Sequence, residues 1–260
     1  MTRIIVHAGF HKTGTTNLQQ TLRANRKVLA PHLRLILRPG MTALCEAARG
    51  YSRTLQDIDL GLVKYEAALL AEGFAAEPAP AVFLSSEDLC GHMPGRHGIR
   101  TYAAAPHLMR ALAVAFRAAL PRSEVSFFFT TRARDAWLRS CYAQHLHASK
   151  MALDEHGYVK RFKSSADLDG ILDAIKREIS DHAVVDTGIE EHADRAFGPA
   201  EAVLDLLGIT LEIRATLVAS ERKNTTPDAA TLTRLLELNR SDLEPTALRD
   251  AKRALLAGHA

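Results

Sequence analysis

No run of about 18 or more uncharged apolar residues occurs in the chain, which argues against a membrane span. Cysteine is scarce. Cys45, Cys90 and Cys141 are odd in number and share no metal-like spacing, so they read as buried free thiols of a protein in a reducing cytoplasm. A strong charge of one sign is also missing. The formal net charge of +3 allows anionic small molecules as ligands and does not call for nucleic acid. The start, MTRIIVHAGF, is interrupted too soon by His7 and His11 to read as a signal peptide. Internal repeats and low-complexity segments are absent. The composition, 47% apolar and 24% charged over 260 residues, is that of a globular chain.

What is present alternates between short apolar runs and helical patterns. RIIVHA (Arg3 to Ala8) is β-branched and broken by Gly9, and reads as a buried strand. From Thr15 the chain reads helical, with Leu18 and Leu22 one turn apart. Residues 41–73 read as helices that stop near Gly73, Pro78 and Pro80. AVFLS (81–85) and EVSFFFTT (124–131) read as strands, each followed by a turn or a helix. CGHMPGRHGIR is loop by composition, and 103–120 reads as a helix stopped by Pro121. Residues 148–170 are mixed and polar. A helix, the strand AVVDT, a further helix and two polar tail helices from Pro227 complete the pattern. Such alternation predicts a parallel sheet covered on both faces. Pro78 and the 148–170 stretch are the only candidate seams, and one domain over 1–260 is the expectation.

GFHKTGTT (Gly9 to Thr16) lies between the first strand and the first helix. A glycine turn opening a helix makes an anion site, because the first helical N–H groups lack partners and the helix dipole adds positive charge. Gly9, Gly14 and Thr16 follow the Walker A spacing, but Thr15 takes the place of the Walker lysine, and the lysine stands at 12. That counts against nucleotide hydrolysis with magnesium. FLSSED is the nearest candidate for a magnesium-binding strand end, and a poor one.

Residues Gly9-Phe10-His11-Lys12-Thr13-Gly14-Thr15-Thr16 resemble the 5′-phosphosulfate loop of PAPS-dependent sulfotransferases. The resemblance implies a three-layer α/β fold of the P-loop NTPase type, with a central parallel sheet flanked by helices. It implies that the backbone amides of the loop, at Thr13, Gly14, Thr15 and Thr16, hold the donor's 5′-phosphate and that Lys12 reaches the oxygen bridging phosphate and sulfate. Charge builds on that oxygen as the sulfuryl group departs, so a fixed cation there favours the transition state.

FFFTTRARDAWLRSCY resembles the family's second signature, a strand-end arginine with a serine eight positions later on a helix, here Arg132 and Ser140. In the family this pair holds the 3′-phosphate. A fully helical interval would separate the two by roughly 12 Å, so the helix has to begin after Arg132. Arg134 stands where the family often has proline, while Asp135 fits a common acidic position. Ser220-Glu221-Arg222-Lys223-Asn224 lies near the position of a family loop that closes over the 3′-phosphate, with Asn224 in place of glycine. Arg222 and Lys223 are the candidates there, with a solvated turn as the alternative. The N-T-T-P that follows resembles short bacterial members.

The family takes the acceptor's proton with a histidine or a glutamate on or after a central strand. Glu87 is the candidate base, with Asp88 an alternative and His92 and His97 second choices. His11, inside the phosphate loop, reads as a packing residue, with contact to the acceptor as the alternative. His145 and His147 face apart on a helix and have no third ligand, so no metal is expected. The basic 148–163 stretch reads as a solvated loop or a cover for the acceptor. The implied reaction moves a sulfuryl group from PAPS, leaving PAP, to a small-molecule or glycan acceptor. A P-loop kinase or NTPase with a displaced lysine is the enzymatic alternative, and a non-catalytic bisphosphonucleotide-binding module is the other.

Overall fold

The computed structural model describes residues 2–77, 79–220 and 227–257. It is an α/β fold with one five-stranded parallel sheet flanked by helices, in the strand order β2-β3-β1-β4-β5. The strands are β1 (Arg3–His7), β2 (Arg34–Leu37), β3 (Ala81–Ser85), β4 (Glu124–Thr131) and β5 (Ala183–Gly188). Before β3 come helices α1 (Thr15–Ala24), α2 (Arg26–Leu29), α3 (Thr42–Thr54) and α4 (Asp57–Ala76). Between β3 and β5 come α5 (Ala105–Ala119), α6 (Arg134–Ala148), α7 (Glu155–Phe162) and α8 (Leu168–Glu178). After β5 come α9 (Ala200–Leu207), α10 (Leu211–Arg214), α11 (Ala229–Arg240) and α12 (Pro245–Ala257).

Side chains alternate across a strand, and the apolar run of β1 therefore feeds two layers. Ile4 and Val6 face one core together with Val82, Leu84, Val125 and Phe127. Their register partners on β3 and β4 are these same residues, so each layer continues across the sheet. Helices α3, α4, α5 and α6 cover that face through Leu44, Val63, Leu112 and Trp137. Ile5 turns the other way with Phe83 and Phe128, beneath Leu18 and Leu22 of α1 and Val203 and Leu204 of α9. The leucine spacing in α1 is thus the stripe that seats this helix on the sheet.

β2 was not expected from the sequence. RLIL is short and half-exposed at the sheet edge, where only Leu35 is buried, so its apolar signal is weak. The 148–170 stretch is more ordered than its composition suggested. Asp154 caps α7 by accepting from the Gly157 N–H, and Tyr158 and Phe162 of α7 are buried. The three cysteines are free and buried. Among the described residues, no helix is long and apolar enough to cross a membrane.

Candidate functional site

Parallel strands bring their C-terminal ends to one side of the sheet, which is where open α/β sheets bind ligands. A cavity of about 710 Å³ lies there, a size suited to a cofactor or substrate. Every strand contributes lining residues just beyond its end. Lys12 and Gly14 follow β1, Arg38 follows β2, Glu87 and Asp88 follow β3, Arg132 follows β4, and Ile189 and Glu190 follow β5.

The 9–16 loop is fixed from below. His7, fully buried, places Nδ1 2.8 Å from Ser85 Oγ and Nε2 3.4 Å from Thr130 Oγ1. Gln19 Nε2 donates to Ser85 Oγ at 3.1 Å. Thr130 Oγ1 lies 2.9 Å from Thr13 Oγ1, which donates to Phe10 O at 2.6 Å. One assignment satisfies the whole chain. Gln19 donates to Ser85, Ser85 to His7 Nδ1, the His7 Nε2–H to Thr130, Thr130 to Thr13, and Thr13 to the loop carbonyl. Burial lowers the His7 pKa from 6.5 to about 3, which keeps the ring neutral as this chain requires. Gly9 leaves room for the ring, since a Cβ there would stand 2.7 Å from His7 Nε2 and 3.2 Å from Thr130 Oγ1.

The Thr13 side chain is buried and bonded inward, so its hydroxyl positions the loop and does not line the cavity. Gly14, Thr15 and Thr16 do line it. Gly14 caps α1 in the left-handed region at φ 85, with no side-chain cap and no acid in the first turn. The positive end of α1 is therefore left for a ligand. Thr15 Oγ1 is buried without a hydrogen-bond partner.

Lys12 also adopts a left-handed backbone, at φ 67, a conformation that costs a non-glycine residue about 1 kcal/mol or more. The turn is held by Arg132 Nη1, which donates to Lys12 O at 3.4 Å, and by Trp137 Nε1, which donates to His11 O at 2.8 Å. Lys12 Nζ reaches into the cavity and donates to Gln144 Oε1 at 3.3 Å. Burial lowers its pKa below the ordinary lysine value, and the charges of Arg132 and Arg96 push the same way while Glu87 pushes back.

Arg132 meets the geometric condition set by its spacing from Ser140. Strand β4 ends at Thr131 and α6 begins at Arg134, so the arginine lies in the link between them. Arg132 and Ser140 line the same cavity, and Arg132 Nε is buried without an acceptor. Gln144, one helical turn beyond Ser140, joins them, an i,i+4 relation visible in the sequence but not drawn from it.

The two adjacent carboxylates differ. Ser86 Oγ caps the 3₁₀ turn by accepting from the Asp88 N–H, so neither acid is needed as the cap. Asp88 accepts from Arg38 Nε at 2.6 Å and stands 3.7 Å from His11 Nε2. Burial opposes its charge, but the hydrogen bonds from His11 and Arg38 outweigh that and lower its pKa to about 2. Glu87 lines the cavity and makes no hydrogen bond or ion pair with the described residues. His11 lines the cavity while its Nδ1 stands 3.0 Å from Tyr102 Oη and its ring stacks on Tyr102. His92 and His97 pack on each other, with ring centroids 4.4 Å apart, and neither lines the cavity.

Lys150, Lys160, Arg161 and Lys163 do not line it either. Arg222 and Lys223 lie outside the described residues. Among the described residues, no group of three or more His, Cys, Asp or Glu side chains is arranged to hold a metal ion. Arg38, Arg49 and Arg96 line the cavity and carried no sequence motif. No family model, curated protein or solved structure matches the chain.

Proposed function

We propose that the chain is a PAPS-dependent sulfotransferase built as one P-loop-type domain over residues 1–260. It would move a sulfuryl group from PAPS to a hydroxyl or amine of a small-molecule or glycan acceptor. The observation that carries the proposal is the convergence of Lys12, the uncapped start of α1, Arg132, Ser140 and Glu87 on one cavity. The donor chemistry fits the polar atoms found there. Thr15 Oγ1 and Arg132 Nε are buried without partners among the described residues, and phosphate oxygens are strong acceptors for both.

In this scheme the start of α1, with Gly14, Thr15 and Thr16, holds the 5′-phosphate, and Arg132 and Ser140 hold the 3′-phosphate. Glu87 takes the proton from the acceptor's O–H or N–H as the new bond to sulfur forms. The bond from sulfur to the bridging oxygen breaks, and Lys12 stabilises the negative charge left on that oxygen. PAP and the sulfated acceptor are the products. Lowering of the Lys12 pKa by burial signals a poorly solvated cation, which gains most when an anion develops beside it. Asp88, already engaged by Arg38 and His11, is poorly placed to hold magnesium for an ATP-dependent alternative. The free buried thiols support a reducing compartment, and the cytoplasm is the proposed location.

The test is release of PAP from PAPS in the presence of EDTA, across a panel of hydroxyl and amine acceptors. Acceptor-dependent release in EDTA is the expected result. Turnover only of ATP, and only with magnesium, would overturn the proposal.

A further inference from the structure

The cavity carries more positive charge than the proposed donor uses. With Lys12 and Arg132 assigned to the donor, Arg38, Arg49 and Arg96 remain in its lining. Arg38 is neutralised, since its Nε binds Asp88 Oδ2 at 2.6 Å and its Nη2 binds Glu46 Oε1 at 2.5 Å. Arg49 has only the remainder of those acids, Glu46 Oε1 at 3.4 Å and Asp88 Oδ1 at 4.0 Å. Its Nε is buried without a hydrogen-bond acceptor among the described residues, an arrangement that costs free energy unless a ligand supplies one. Arg96 has no carboxylate within 4.0 Å among the described residues.

Arg96 is also held in place. Gly95, at φ 97, packs so closely on the His145 ring that a Cβ there would lie 2.6 Å from Cε1. The turn is closed by Gly95 N–H donating to Ile99 O at 2.8 Å and Arg96 N–H donating to Met93 O at 3.2 Å. The loop therefore presents a guanidinium from a fixed backbone, which lowers the ordering cost of binding.

We infer that the acceptor carries an anionic group, a carboxylate, sulfate or phosphate, held by Arg49 and Arg96 so that a neighbouring hydroxyl or amine faces Glu87. Guanidinium groups match the planar, multi-oxygen geometry of such anions. This rests on the sulfotransferase proposal, because it assigns Lys12 and Arg132 to the donor.

Inorganic sulfate is the probe. The protein is first saturated with PAP, and thermal unfolding is then followed while sodium sulfate is titrated against sodium chloride at equal ionic strength. Sulfate should add a saturable stabilisation that persists in Lys12→Met. In Arg49→Met and in Arg96→Met the apparent sulfate affinity should fall about tenfold or more, with PAP affinity changed by no more than about twofold. Arg96→Met alters a loop side chain and keeps the test open should Arg49→Met fold poorly. A sulfate response that is absent in the wild type, or equal in wild type and Arg96→Met, would overturn the inference. Loss of the response in Lys12→Met would place sulfate at the donor end and overturn it as well. Failure of PAP itself to bind would instead overturn the donor assignment.

Discussion

Residues 9–16 bring their groups to the cavity from consecutive positions on one strand-to-helix turn, whereas Arg38, Arg49 and Arg96 reach it from three separate segments. The loop is supported by buried neutral hydrogen bonds running from Ser85 through His7 and Thr130 to Thr13. Two of the three arginines are supported by ion pairs, Arg38 and Arg49 sharing Asp88 and Glu46. Neutral buried bonds fix one geometry and resist salt. Ion pairs that are partly exposed are screened and can exchange partners with a ligand. Under the proposed function, the loop would hold the constant nucleotide donor and the arginines a charged, exchangeable acceptor.

The largest effect expected from breaking this division is at Lys12. Lys12→Met keeps the length of the side chain and removes its charge, and it should lower turnover of PAPS by about 10³-fold while PAP still binds. Steady-state rates with parallel PAP titration check this; an unchanged rate would remove Lys12 from the chemistry. Glu87→Gln comes next, with an expected loss of about 10²-fold in turnover and little change in melting temperature. Asp88→Asn should behave in the opposite way, losing stability because the half-buried carboxylate that accepts from Arg38 loses its charge. Equal rate losses in the two variants would dissolve the distinction between base and structural acid.

His7 sharpens the comparison through stability. Its pKa is 6.5 when unperturbed and about 3 when buried, so between those values the unfolded chain binds more protons than the native one. Stability is therefore fully present above about pH 6.5 and is lost progressively as pH falls toward 3. His7→Leu should cost about 1–3 kcal/mol at neutral pH by breaking the relay and should make the acid-side decline shallower. Denaturant melts from pH 7 to 4 report both effects. A decline as steep as that of the wild type would mean that other groups dominate it. The smallest effect is expected from Lys160→Ala, since the 148–163 basic residues lie outside the cavity lining. Stability within about 0.5 kcal/mol of wild type and an unaltered rate are the expected results.

How much of this was legible in the sequence follows from the same contrast. The 9–16 loop, Arg132 and Ser140 could be read because each group is set by local spacing on a strand end or a helix turn. Glu87 was legible as a residue beyond a strand. The inward turn of the Thr13 hydroxyl was not legible, because sequence spacing does not tell which way a loop hydroxyl turns and its partner, Thr130, is 117 positions away. Arg38 was missed with β2, whose edge position blunts its apolar pattern. Arg49 and Arg96 belong to no local motif, and only the folding of α3 and the 90–100 loop onto the sheet brings them to the cavity. Helix α7 was obscured because only Tyr158 and Phe162 of its residues are buried.

The central claim is that this cavity holds a 3′,5′-bisphosphorylated nucleotide without a metal. A ligand that binds only the native state raises stability by about 2.7 kcal/mol at a hundredfold excess over its Kd. The direct measurement is the shift in melting temperature with PAP in EDTA, compared with ATP and magnesium. The account predicts a rise of several degrees with PAP and a much smaller one with ATP and magnesium, with Arg132→Met abolishing most of the PAP response. No shift with PAP, or a larger one with ATP and magnesium, would contradict it.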